Sequence, residues 1–133
     1  MKQLAIFGRI LFAIPIIAIG LSHFLMTPEF LTKLEHSLIP GSMYTVLLSG
    51  AMLIIASVFI ILNKYVKIAC LWLAGMLFII ITTIHIPNLF YILKTIPLKP
   101  ELLNLALMET LQDTALLGAS LMIAYYLENN KQE

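Results

Sequence analysis

The sequence predicts an all-α membrane protein, a bundle of four transmembrane helices. Of its 133 residues, 61% are hydrophobic and only 11% are charged, whereas a soluble domain has about 25% charged residues. Four apolar segments each have about the 20 residues that are needed to span the hydrocarbon core of a bilayer. These segments use almost the whole chain, so we expect a single transmembrane domain over residues 1–133 and no separate soluble domain.

The four predicted spans are separated by short polar connections. They run from about residue 4 to 26, 44 to 62, 66 to 89 and 102 to 127. The first apolar stretch is too long for the core of a signal peptide, so we interpret it as a retained helix.

Prolines and short polar groups mark the ends of the spans. Thr27-Pro28 ends the first span, because the residue before a proline avoids helical geometry. Pro40-Gly41-Ser42 leads into the second span, and Asn63-Lys64-Tyr65 connects it to the third. Pro97 precedes the fourth, and Pro100-Glu101 is typical of a helix N-terminus.

The basic residues predict the orientation in the membrane. Five of them fall on the side of the two termini and of the middle connection, and three fall on the opposite side. The five are Lys2, Arg9, Lys64, Lys67 and Lys131, and the three are Lys33, Lys94 and Lys99. Because cytoplasmic segments carry the excess of Lys and Arg, we expect both termini in the cytoplasm.

The connection between the first two spans has two interpretations. Its apolar residues, Phe30, Leu31, Leu34 and Leu38, recur at helical spacing between charged ones. One interpretation is a short amphipathic helix lying in the outer interface. The other is an ordinary loop packed on the bundle.

Two acids within the fourth span are the main functional clue. Glu109 and Asp113 are four residues apart, so they project from one face of a helix. An ionised carboxylate in hydrocarbon costs several kcal/mol, so such groups face the interior and usually have a partner. At a rise of about 1.5 Å per residue, His23, His85 and Glu109 fall in the outer half of a core about 30 Å thick, and Asp113 lies nearer its midplane. These four residues are the candidates for ligand binding or proton exchange.

Helical spacing gives each candidate a stripe of neighbours. Arg9, Gln112 and Thr82 are the supporting polar residues, and Arg9 is most simply an inner-face anchor. The three predicted stripes are Arg9-Ala13-Ile16-Gly20-His23, Gly75-Phe78-Thr82-His85 and Glu109-Gln112-Asp113-Leu116-Ser120.

An imidazole beside a carboxylate suits several functions. It can hold a quinone head group, relay protons, bind a metal or ligate haem, or it can simply join helices by hydrogen bonds. The chain lacks metal-ligand spacing, and a lone cysteine, Cys70, excludes an internal disulfide and a dithiol pair. A net charge of +1 gives no basic patch for nucleic acid.

The chain resembles the DoxX family of small four-helix membrane proteins. The segments that carry the resemblance occur in all four spans and after the first. They are Gly8-Arg9-Ile10-Leu11-Phe12, Gly20-Leu21-Ser22-His23-Phe24, Pro28-Glu29-Phe30, Ile39-Pro40-Gly41, Leu48-Ser49-Gly50, Thr82-Thr83-Ile84-His85, Glu109-Thr110-Leu111-Gln112-Asp113 and Leu116-Leu117-Gly118-Ala119-Ser120-Leu121-Met122. The resemblance implies a four-helix bundle in the cytoplasmic membrane of a bacterium. It also implies association with redox or thiol-handling enzymes, since the family name comes from a thiosulfate–quinone oxidoreductase subunit.

The sequence is compatible with three functions. The first is a redox-associated subunit whose polar pocket holds a quinone-like molecule, with a histidine donating to a carbonyl oxygen and the acids exchanging protons. Its electrons must come from a partner protein, because no intrinsic cofactor motif is present. The second is a non-catalytic scaffold or assembly factor with a structural polar layer. The third is a small transporter, which would need to form a homo-oligomer. Membrane lipid surrounds the protein in each case.

Overall fold

The computed structural model describes residues 2–39, 41–95 and 99–129. Pro40, Pro97 and Lys131, whose roles the sequence predicts, lie outside these ranges. Within them every regular element is helical, which confirms the all-α prediction. The elements are α1 (Lys2–Leu25), α2 (Thr27–Leu34), α3 (Met43–Ile61), α4 (Val66–Ile80), a π-helical turn (Ile81–His85), α5 (Ile86–Thr95) and α6 (Pro100–Asn129).

Three helical stretches are long and apolar enough to cross a membrane. They are Gln3–Leu25 in α1, Met43–Ile61 in α3, and the continuous stretch Val66–Thr95 that joins α4, the π turn and α5. The third stretch runs beyond residue 89, where the predicted span ends. Helix α6 has 30 residues, but its polar side chains lower its mean hydropathy and it is not among the three. The fourth span therefore stays a prediction.

The helices pack as two pairs. Helix α1 lies against α3 and α4 lies against α6, while contact between α3 and α4 joins the pairs. The core between them is formed by fully buried side chains such as Ile16, Ile60, Cys70 and Leu73. The predicted stripe from Ala13 to His23 is the buried face of α1, as expected.

Two glycines bring α1 and α3 into close contact. A Cβ atom added at Gly20 would lie 2.9 Å from the carbonyl oxygen of Gly50, and one added at Gly50 would lie 2.8 Å from that of Gly20. Only residues without side chains permit this separation between two backbones. The crossing lies one helical turn from His23, so it fixes the position of that histidine.

The π turn reorients the third span just before Pro87. The Ile86 N–H donates to the carbonyl of Ile81, five residues back, and the extra residue rotates everything that follows by about 100°. Pro87 cannot donate to the carbonyl of Thr83, which instead accepts the backbone N–H of Leu38 at 2.8 Å.

The predicted stripe through Gly75 and Phe78 is wrong for the same reason. Phe78 is 59% exposed, while Leu73, Leu77 and Ile81 form the buried side. The stripe assumed regular 3.6-residue spacing up to His85, and the π turn breaks that spacing.

The connection after α1 combines the two interpretations of the sequence. Residues Thr27–Leu34 form the short helix α2 with Pro28 in its first turn, and this helix packs on the bundle. Leu34 is buried, whereas Leu38 is 75% exposed. The Ser37 hydroxyl ends the turn by donating to the carbonyls of Leu34 and Ile39.

Candidate functional site

A cavity of about 390 Å³ lies between the two helix pairs and beneath α2. Its walls are largely apolar and come from α1, α3, α4 and α6, with Ile16, Met52, Leu73, Leu77 and Leu116 among them. All four residues that the sequence singles out, His23, His85, Glu109 and Asp113, line this cavity. The depth and facing that we estimated from helical spacing therefore identified four side chains, on three helical stretches, that line the same cavity.

His85 and Asp113 form the more buried polar pair. The His85 Nε2 lies 2.9 Å from Asp113 Oδ2, and the exposed fractions of the two side chains are 12% and 17%. A carboxylate oxygen accepts, so Nε2–H is the donor. The bond joins the π turn to α6, and it orients the imidazole in the way expected of a histidine beside a carboxylate.

Glu109 pairs with a residue that the sequence analysis did not assign to the site. The ammonium of Lys33 in α2 forms an ion pair with Glu109 Oε1 in α6. Both side chains are about one-third exposed, so the pair lies at the mouth of the cavity. One signal could have identified Lys33: a carboxylate in an apolar helix needs a nearby cation, and Lys33 lies in the outer loop, next to the layer in which Glu109 was predicted.

His23 is the most buried of the candidates and contacts no carboxylate. It is 8% exposed, and its Nδ1 lies 2.8 Å from the carbonyl oxygen of Ile19. Its ring stacks on Phe30 of α2 at a centroid distance of 4.0 Å. The corner between α1 and α2 is held by Thr27, whose hydroxyl donates to the His23 carbonyl at 2.7 Å. Burial, stacking and this corner fix the ring at the cavity wall.

The three supporting residues have different environments. Gln112 lines the cavity but is exposed. Thr82 is not among the lining residues, and its hydroxyl donates to the carbonyl of Phe78 in its own helix at 2.8 Å. Arg9 also lies away from the cavity, and its Nη1 is buried without a hydrogen-bond partner among the described residues.

The charges of the site are arranged in pairs. Each carboxylate has a basic partner, Lys33 for Glu109 and His85 for Asp113. In the described ranges no group of three His, Cys, Asp or Glu residues could hold a metal ion. The arrangement is therefore suited to hydrogen bonding and proton exchange with a molecule whose body occupies the apolar part of the cavity.

The comparison with protein families gives one match. The model of the DoxX family matches residues 4–86, which is more than half of the chain. The matched region contains His23, Lys33 and His85, and it ends before α6, which carries Glu109 and Asp113. No curated protein and no solved structure matches the chain.

Proposed function

The chain belongs to the DoxX family, and we propose that this integral membrane protein is a redox-associated subunit whose cavity binds a quinone-like lipophilic molecule. We further propose that it lies in the cytoplasmic membrane of a bacterium with four spans and both termini in the cytoplasm. The cavity then lies in the outer half of the bilayer, within reach of lipophilic molecules that partition into the hydrocarbon core.

The observation that carries the proposal is a largely apolar cavity lined by a few polar side chains, among them His23, His85, Glu109 and Asp113. Ligand sites for small molecules have volumes of about 300–1,000 Å³, apolar walls and a few polar groups that fix orientation. The cavity of about 390 Å³ has these properties. A ring with polar substituents on an apolar tail would match both parts of it.

The paired groups could also serve the chemistry of such a ring. Conversion of a quinone to its hydroquinone takes up two electrons and two protons. His85 and Asp113 share a hydrogen bond at the cavity wall, and such a pair can exchange a proton with a bound oxygen. The electrons would come from a redox or thiol-handling partner protein.

The test is to identify what the purified protein carries. The protein is purified in mild detergent and extracted with organic solvent, and bound small molecules are identified by mass spectrometry. We expect a quinone-like molecule at a fixed ratio to protein. The variant Asp113→Asn should lower that ratio about tenfold, the effect of removing one buried charged partner.

The matched control is Thr114→Val on the neighbouring residue. Thr114 is exposed, its hydroxyl donates to the carbonyl of Thr110 in its own helix, and it does not line the cavity. Its replacement should leave the ratio unchanged. Recovery of bulk phospholipid alone from the unaltered protein would contradict the proposal.

One observation favours a second candidate, a non-catalytic scaffold or assembly factor. The Lys33–Glu109 ion pair joins α2 to α6, and the His85–Asp113 hydrogen bond joins the π turn to α6, so both contacts would stabilise the bundle even in an empty cavity. In that case the double variant Glu109→Gln/Asp113→Asn would lower stability without changing what the protein carries.

A further inference from the structure

The hydrogen bond of His23 determines which ring nitrogen carries the proton. A carbonyl oxygen can only accept, so the contact of 2.8 Å between Nδ1 and the Ile19 carbonyl requires a proton on Nδ1. His23 is 8% exposed and forms no ion pair with a carboxylate in the part of the chain that the structure describes, and a charged imidazole in such surroundings is costly. The ring is therefore neutral, and its Nε2 is a hydrogen-bond acceptor. The histidine that the sequence analysis expects to donate to a ligand carbonyl is therefore not His23.

The second ring nitrogen, Nε2, is unpaired among the described residues. No described residue forms a hydrogen bond with it, although the ring lines the cavity. This acceptor is accessible at the cavity wall, so a ligand that donates to it gains a hydrogen bond that the protein itself does not supply.

Other polar groups that line the cavity are also hydrogen-bond acceptors. Ser22 and Ser49 line it, and their hydroxyl protons are given to the carbonyls of Ile19 at 2.7 Å and Val46 at 2.8 Å. Their oxygens keep lone pairs that can only accept. Among the lining donors, His85 already donates to Asp113 at 2.9 Å, and the Thr45 hydroxyl is hydrogen-bonded with that of Ser42 at 3.1 Å. Lys33 and Gln112 are at the exposed mouth.

The two carboxylates that line the cavity already have partners, so they do not require a cationic ligand. Lys33 already neutralises Glu109, and His85 already donates to Asp113. The unpaired acceptor that lines the cavity, His23 Nε2, needs a neutral hydrogen-bond donor. A hydroxyl group is the neutral donor that an otherwise apolar ring or chain can carry.

We propose that the cavity selects lipophiles whose head group carries a hydroxyl, such as a hydroquinone, phenol or alcohol, over those whose oxygens only accept, such as a quinone. His23 Nε2 is the group that distinguishes them. This inference rests on the proposed function, because it names the class of molecule that the same cavity binds.

The experiment compares three probes that differ only in their oxygens. Duroquinone, durohydroquinone and the dimethyl ether of durohydroquinone are titrated into the detergent-solubilised protein without oxygen, and binding is measured by calorimetry. We expect the hydroquinone to bind about tenfold more tightly than the other two, the ratio set by pairing one buried acceptor.

The variant His23→Phe tests the assignment to one atom. Phenylalanine keeps a ring that can stack on Phe30 and removes the acceptor, so the hydroquinone should bind no better than its ether. The matched control is His36→Phe. His36 also stacks on an aromatic ring, that of Tyr91 at 3.5 Å, but it does not line the cavity, so its replacement should preserve the preference.

The outcomes separate this inference from the proposed function. If the quinone binds as tightly as the hydroquinone, the selection is refuted while a lipophile site remains. If none of the probes binds, both proposals fail. Should His23→Phe not fold, the comparison of the three probes on the unaltered protein decides the question alone.

Discussion

Replacement of Gly50 by alanine should separate α1 from α3 and weaken the bundle. The added Cβ would lie 2.7 Å from the Cβ of His23 and 2.8 Å from the carbonyl oxygen of Gly20, whereas ordinary contacts begin at 3.4 Å. The closest contact is thus short by about 0.7 Å. Backbone and Cβ atoms cannot move aside as a flexible side chain does, so α1 itself must shift.

The expected loss of stability follows from this overpacking. An extra methyl group in a well-packed core costs about 1–3 kcal/mol, and the free energy of unfolding should fall by that amount. The assay is a titration of the protein in mixed micelles with SDS, with helix content followed by circular dichroism. Because the shift displaces His23, binding of the hydroxyl-bearing probe should weaken as well.

Gly118→Ala in α6 is the matched control. A Cβ at Gly118 meets nothing within 4 Å, and alanine favours a helix over glycine by about 0.5–1 kcal/mol. This variant should unfold at the same or a higher SDS fraction. If Gly50→Ala and Gly118→Ala unfold together, the close crossing of α1 and α3 does not support the bundle and the reasoning is refuted.

Three further predictions concern single contacts. In a double-mutant cycle of Lys33→Met and Glu109→Gln, followed by SDS unfolding, the coupling energy should be about 0.2–1 kcal/mol, because both side chains are one-third exposed. A coupling energy of zero would contradict the prediction that the ion pair holds α2 on α6. Ser42→Ala should cost about 1 kcal/mol in the same assay, because the Ser42 side chain caps the N-terminus of α3, and an unchanged midpoint would refute the cap. Pro87→Ala should supply an N–H that competes with the N–H of Leu38 for the carbonyl of Thr83, so amide hydrogen exchange at Leu38 should become faster. Unchanged exchange would show that the proline is not needed to keep that carbonyl available to Leu38.

Local signals in the sequence were sufficient for the helices. The predicted segments cover α4 and most of α1, α3 and α6, and several helix ends lie at the predicted breakers, although the third stretch continues past residue 89 to Thr95. Helix α1 ends before Thr27-Pro28, α6 begins at Pro100, and α3 and α4 are connected through Asn63 and Tyr65, both in the left-handed region. These features depend on residues adjacent in the chain, so they can be predicted without knowledge of helix order.

The partners within the site could not be predicted in the same way. The spacing of Glu109 and Asp113 predicted a shared face, but not that each acid would pair with a different element. The pairing with Lys33 depends on how α2 folds over the bundle. The pairing with His85 depends on a π turn, for which Pro87 gives only a partial signal, since it removes a donor without specifying the register that results.

The tautomer of His23 shows a different limit of prediction from sequence. Its position in a buried stripe was predictable from spacing, whereas its role as an acceptor depends on a single contact with the carbonyl of Ile19. Rotation about the side chain would give the opposite role at the same depth and on the same face. A sequence therefore predicts where a histidine lies more readily than whether its free ring nitrogen donates or accepts a hydrogen bond.

Two of the polar residues that lower the mean hydropathy of α6 lie on its inward face. Glu109 and Asp113 are partly buried and paired, while Met108 and Leu111 on the outward side are 68% and 60% exposed. An average over the helix cannot distinguish polar groups that face a cavity from polar groups that face lipid. The cost of a charge in the bilayer applies to the latter, so the two acids do not argue against a membrane-spanning α6. The same two acids that make α6 less apolar than the other helices line the cavity, as expected if the proposed fourth span turns them toward the bundle interior.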